Sequence, residues 1–212
     1  MAKQLSDAAP RPFSFERPRQ RRVYERLSRI GQAPADFWRD ACLIMANIDE
    51  FKVASHLVAH LFREIESGLS AVAHTCVGAS DSGNRPSESG HKDKIRAILH
   101  GLGIPEDDDV ARDWLSLAGR NKGFHAYAHR RGLMPPRPAD DQFELLCARF
   151  ERILDRVLDR WEASFFRAVE VLDELLKKPS PTGADAVMLR DQVPNDVITY
   201  RYFFSRLNSP DW

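Results

Sequence analysis

The chain has little cysteine, no excess of either charge and no long apolar run, and each shortage removes a class of protein. Cys42, Cys76 and Cys147 stand far apart, with neither a CxxC pair nor a zinc-finger spacing among them. They read as reduced, packed thiols and not as a disulfide framework or a zinc knuckle. Thirty-one basic residues balance 31 acidic ones, so the chain is no polycation and any attraction to nucleic acid has to be local. No stretch reaches the ~18 apolar residues of a membrane-spanning helix, and the first residues lack the apolar run of a signal peptide. A cytoplasmic protein with no membrane segment is expected. Strand signals are also scarce, because the short Val and Ile runs lack alternation and hairpin turns.

What is present is helical periodicity. With 212 residues, 43% of them hydrophobic, the chain can fill one substantial core and carry flanking segments. Residues 1–34 are rich in Arg and Pro, with Arg17, Arg19, Arg22, Arg26 and Arg29 set among Phe13 and Phe15. Such an arm can contact phosphates and stack bases; the plainer expectation is a mobile arm that packs on a neighbour. Asp36 reads as the N-cap of a first helix through Trp38, Ala41 and Ile44. Over 49–74, Phe51, Ala54, Val58, Leu61, Ile65, Gly68 and Val72 recur in steps of three and four, which predicts one buried stripe. His56, His60, Arg63 and Ser67 fall on the opposite side, with Glu64 at its edge. His56, His60 and Glu64 at i+4 steps can ligate a metal, or can be solvated, or can line a second contact face.

A polar, turn-rich loop over 78–90 precedes a short helix over 92–100 that Gly101 and Gly103 close. The acids from Glu106 to Asp109 then suit a helix N-terminus, and diverge too much around its axis for a metal cluster. Val110, Trp114, Leu117 and Ala118 carry that helix to Gly119. Beyond Pro135, Pro136 and Pro138, Asp140 or Asp141 caps a helix predicted to run to about Lys177, some ~55 Å long. Its stripe is Phe143, Leu146, Phe150, Ile153, Val157, Phe165, Ala168 and Leu172, with Glu151 and Arg152 assigned to other faces. The last segment, 179–212, combines a linker with Tyr200, Tyr202, Phe203, Phe204 and Leu207. It reads as the start of a further domain or a docking edge for another subunit, or as a terminal helix folded back on its own bundle. The expected architecture is all-α: an antiparallel bundle of four to five main helices over 35–178, with short helical additions.

The chemistry concentrates in Gly119-Arg120-Asn121-Lys122-Gly123-Phe124-His125-Ala126-Tyr127-Ala128-His129-Arg130-Arg131. Arginine is a permanently charged planar fork suited to phosphate, and histidine exchanges a proton near neutral pH. In one unbroken helix, Arg120 and His125 would lie roughly 140° apart. Gly119 and Gly123 permit a bend that lets them converge, and His129 stands one turn beyond His125 on the same face. Alternatively Arg120 pairs with a carboxylate such as Asp113 or Glu64, and His125 is a hydrogen-bonded bundle residue. A zinc-protease HExxH is excluded, since Ala126 stands where its Glu is required.

Arg120 to His125 matches the R-x4-6-H motif with a polar residue after the arginine, and the helical order around it resembles the HEPN superfamily over roughly 35–178. The resemblance implies an α-helical homodimer with a composite cleft, in a metal-independent endoribonuclease of toxin or phage-defence type that acts on RNA and needs no cofactor. Carried over, His125 is the general acid or base for attack by the 2′-hydroxyl, Arg120 stabilises the transition state, and Asn121 orients the phosphate or His125. His129 and Arg130 are auxiliary. The alternative within the resemblance is a noncatalytic dimerisation or interaction module at the N-terminus of a larger protein.

Overall fold

Among the described residues of the computed structural model, 13–74, 90–118, 123–129, 135–180, 182–192 and 197–207, regular structure is helical and no strand occurs. The order is α1 (Pro18–Ile30), α2 (Gln32–Ala46), a 3-10 turn (Ile48–Glu50), α3 (Ala54–His74), α4 (His91–Gly101), α5 (Asp109–Leu117), α6 (His125–Ala128), α7 (Asp141–Leu176), α8 (Gly183–Gln192) and α9 (Val197–Leu207). The all-α class expected from periodicity is the class that forms.

The long α7 is the spine. Asp140 caps it by accepting a hydrogen bond from the Phe143 amide at 2.9 Å, which satisfies one of the donors every helix start leaves open. Its apolar stripe, Phe143, Phe150, Ile153, Val157, Ala168 and Leu172, is buried. α1 and α5 pack against α7, α2 joins α1 to α3, and α3 supports α4 and α6. Phe62 of α3 lies at the centre: its ring stacks on Trp38 at 5.8 Å and meets Phe150 at 4.8 Å and Phe124 at 4.7 Å. Phe124 belongs to the motif segment, so this contact ties that segment to the core.

Local signals set several ends. At the end of α4 the Ile104 amide donates to the Leu99 carbonyl at 2.8 Å and the Gly103 amide to His100 at 3.0 Å. This paired arrangement needs a left-handed residue, supplied by Gly103 at φ 70°. Asp108 caps α5 by accepting from the Val110 amide, while Arg160 and Arg156 engage Asp108 and Asp109. The acidic run is thus a helix start held to α7 by ion pairs.

Four expectations change. Much of the arginine-rich arm is α1, with Val23, Leu27 and Ile30 in the core and its arginines paired to α7: Arg17 to Glu151, Arg22 to Asp155, and Arg26 to Asp155, Asp159 and Glu162. Asp36 lies inside α2, whose N-cap is Gly31. α3 begins at Ala54, leaving Phe51 exposed before it. Glu151, assigned to an outer face, is 2% exposed because α1 covers it. At the other end α9 folds back on the bundle, where Tyr202 meets Phe165 with ring centroids 5.7 Å apart. Cys76, the loop over 75–89, and the closing Pro210-Asp211-Trp212 lie outside the described residues.

A candidate site of histidines and arginine between α3 and α6

The polar face of α3 presents His56, His60 and Arg63 within two turns, so all three reach the same neighbour. That neighbour is α6. A helix of one turn leaves most of its carbonyls without partners in the helix, and the histidines supply donors. His56 Nδ1 lies 3.1 Å from the Tyr127 carbonyl and His60 Nε2 lies 3.1 Å from the Ala128 carbonyl. A carbonyl only accepts, so each imidazole donates its N–H there, which fixes the tautomer of both rings when neutral. The rings meet edge to face at 4.6 Å. These histidines therefore line a second contact face, one of the readings their spacing left open. Among the described residues no three His, Cys, Asp or Glu side chains are grouped as metal ligands.

α6 begins where the chain turns sharply. Gly123 has φ 57°, a left-handed conformation costly for residues with a Cβ. A Cβ there would also collide with the Leu117 carbonyl oxygen. The bend expected at the glycines is therefore found at Gly123, and the following Phe124 is buried. The turn sets His125 and His129 side by side, ring centroids 4.2 Å apart.

Arg63 completes this cluster, with Nη1 3.2 Å from His129 Nε2. A guanidinium can only donate, so His129 Nε2 offers its lone pair and the ring is neutral. Burial, then the nearby His125, Arg63, His60 and His56, hold the His129 pKa below the usual histidine value.

A second pair adjoins it. Glu66 of α3 is 5% exposed and fully engaged: Trp114 Nε1 donates to Oε1 at 3.1 Å, and His91 Nε2 lies 2.8 Å from Oε2. Glu66 thereby orients His91 as carboxylates orient catalytic imidazoles. Neither residue stood out in the sequence. The signal for Glu66 is its place four residues after Phe62 and one after Ile65, on the buried flank of α3; His91 gives no such signal.

Arg63, Glu66, His91, Lys94 and His125 share the wall of one cleft of about 730 Å³. Asp93, on the same wall, is held by Arg96 at 2.8 Å. Neither Arg63 nor Lys94 is ion-paired with a carboxylate among the described residues. The cleft thus offers imidazoles for proton transfer beside two cations that no carboxylate holds among the described residues. Thiol chemistry has no comparable candidate: burial first, then nearby Glu151, pushes the Cys42 thiol up to about 12, and burial raises Cys147 further still.

Of the motif residues, His125 and His129 come together here. Arg120, Asn121 and Arg130 lie outside the described residues. Asp113, considered as a carboxylate for Arg120, is engaged by Arg149 Nε at 2.9 Å. Comparison with models of known families, with curated proteins and with solved structures finds no match.

Proposed function

We propose that the chain is an endoribonuclease that cleaves RNA by 2′-hydroxyl attack at the mouth of the cleft that α3, α4 and His125 line, without a metal. The observation that carries the reading is the contact of His125 with His129, with Arg63 bound to the His129 lone pair. A phosphodiester is a better partner for a guanidinium than an imidazole nitrogen is, because two of its oxygens match the planar fork. As Arg63 turns to the phosphate, His129 Nε2 becomes available as a base. It takes the proton of the ribose 2′-hydroxyl, whose oxygen forms the new bond to phosphorus. The bond from phosphorus to the 5′-oxygen breaks, and His125 in its charged form gives that oxygen a proton. The products are a 2′,3′-cyclic phosphate and a 5′-hydroxyl. Arg63 and Lys94 offset charge on the phosphorus centre, and Arg120 and Asn121 of the HEPN-like motif join them from the same chain or from a second copy.

The deciding experiment incubates the protein with a structured RNA in excess chelator. Cleavage is expected in wild type and is expected to fall by about 10²-fold or more in His125→Ala and His129→Ala. Cleavage that survives both substitutions sinks the site, and cleavage that chelator abolishes sinks the metal-independent chemistry.

A second reading, an interaction module without catalysis, has its own observation. Phe166 of α7, Val187 and Met188 of α8, and Phe204 of α9 are all more than one-third exposed, on three helices of which α8 and α9 each pack against α7, and exposed apolar side chains suit a partner surface. Light scattering on wild type and on Phe204→Ser tests it: a dimer that the substitution dissociates, in a protein that leaves RNA intact, favours this reading.

A further inference from the structure

A second cavity, of about 630 Å³, opens between α1, α2 and α7, apart from the histidine cleft. Its floor is Glu151, 2% exposed, whose Oε1 is buried and accepts no hydrogen bond. Oε2 is met by Arg17 Nη2 at 2.8 Å, from a side chain 51% exposed that lies over the carboxyl from the start of α1. Glu16, Asp141 and Glu144 stand on the wall, and none of the three is ion-paired among the described residues. Against these four carboxylates the wall holds a single cation, Arg17. Met45, Leu145 and Trp38 give it apolar surface. Trp38 and Gln20 are already committed to each other, the indole N–H donating to the Gln20 carbonyl at 2.9 Å.

We propose that this cavity binds a small organic ammonium ion, its charged head replacing Arg17 on Glu151 and its apolar body lying along Met45 and Leu145. A buried carboxyl oxygen without a donor is rare in folded proteins because the group loses water and gains nothing. An ammonium head carries three donors, enough to reach both oxygens of Glu151 at once, which the Arg17 contact does not do. The surplus of negative charge selects the sign of the ligand, and the apolar rim selects against fully hydrated ions such as sodium. Burial raises the Glu151 pKa, opposed first by Arg17 and then by Arg19. A cation at the carboxyl acts in the same sense as these arginines and favours its ionised form.

The test is calorimetric titration of the full chain with 2-phenylethylammonium and, separately, with the neutral 2-phenylethanol. The ammonium is expected to bind at least about tenfold more tightly than the alcohol. Glu151→Gln, close in shape and without the charge, is expected to abolish that preference. Leu145 is 70% exposed, so Leu145→Lys leaves the core intact; both compounds lose an apolar contact, and repulsion is expected to weaken the ammonium severalfold more than the alcohol. Equal affinity for the two compounds, undiminished ammonium binding in Glu151→Gln, or no ammonium binding to folded wild type overturns the proposal. The cavity shares no lining residue with the histidine cleft, so its failure leaves the ribonuclease reading untouched.

Discussion

Arg63 Nη1 rests 3.2 Å from His129 Nε2, and because arginine never accepts a proton, this contact holds the imidazole in its neutral form. Burial and the surrounding His125, His60 and His56 act in the same direction. His129 is therefore expected to titrate below the ordinary histidine range, and Arg63→Gln is expected to move its pKa upward. The sign for stability follows. The unfolded chain takes up the proton at about 6.5 while the folded chain does not. The His129 contribution is thus full above that pH and is lost as pH falls through the folded value. NMR titration of the imidazole in wild type and Arg63→Gln measures the shift directly; an unchanged pKa in the variant removes Arg63 from the argument.

Gly123 supports a backbone prediction that is independent of any chemistry. Its left-handed φ and the Leu117 carbonyl beside it leave no room for a Cβ. Gly123→Ala is expected to cost about 1–3 kcal/mol in unfolding free energy, whereas Gly183→Ala, with open space around it and no such φ, is expected to be near neutral. Urea unfolding compares the two. A Gly123→Ala variant as stable as wild type means that the turn into α6 is built differently.

The two residues also mark how far the sequence could be read. The bend before His125 was legible because glycine is the residue a left-handed turn selects. The α7 stripe was legible because thirty-six residues repeat one period. The contact between Arg63 and His129 was not, since the partners are 66 positions apart and nothing in either neighbourhood points to the other. α1 was hidden by its composition. Val23, Leu27 and Ile30 follow helical spacing, but the arginines among them find their carboxylates on α7, in the other half of the chain. Glu151 was misplaced for the same reason: only after α1 docks does that face of α7 become buried.

Glu66 links two sides of the cleft, and removing it separates packing from chemistry. Glu66→Ala leaves the Trp114 N–H buried without an acceptor and is expected to cost about 1–3 kcal/mol. Glu66→Gln keeps an acceptor for Trp114 but withdraws the charge from His91, so its stability is expected to lie much closer to wild type. Urea unfolding compares the two variants. A Glu66→Gln variant as unstable as Glu66→Ala means that the acceptor for Trp114 is not what Glu66 supplies.

Arg26 distinguishes a structural arginine from one that serves nucleic acid. Its side chain is 14% exposed and reaches Asp155 at 2.9 Å, Asp159 at 2.5 Å and Glu162 at 3.0 Å. It also donates to the Asp155 carbonyl at 3.0 Å. With four of its five donors spent on α7, Arg26 is poorly placed to serve phosphate. Arg26→Gln takes the arginine from Asp159 and leaves Asp155 to Arg22 and Glu162 to Arg29, and is expected to destabilise the fold by about 1–3 kcal/mol. Breaking the exposed pair of Lys177 and Glu174 with Lys177→Ala is expected to leave stability almost unchanged. RNA affinity, measured by filter binding below the unfolding transition, is expected to be unchanged in Arg26→Gln and reduced in Arg63→Gln. The opposite pattern would return α1 to the role of an RNA-binding arm and take the phosphate contact away from α3.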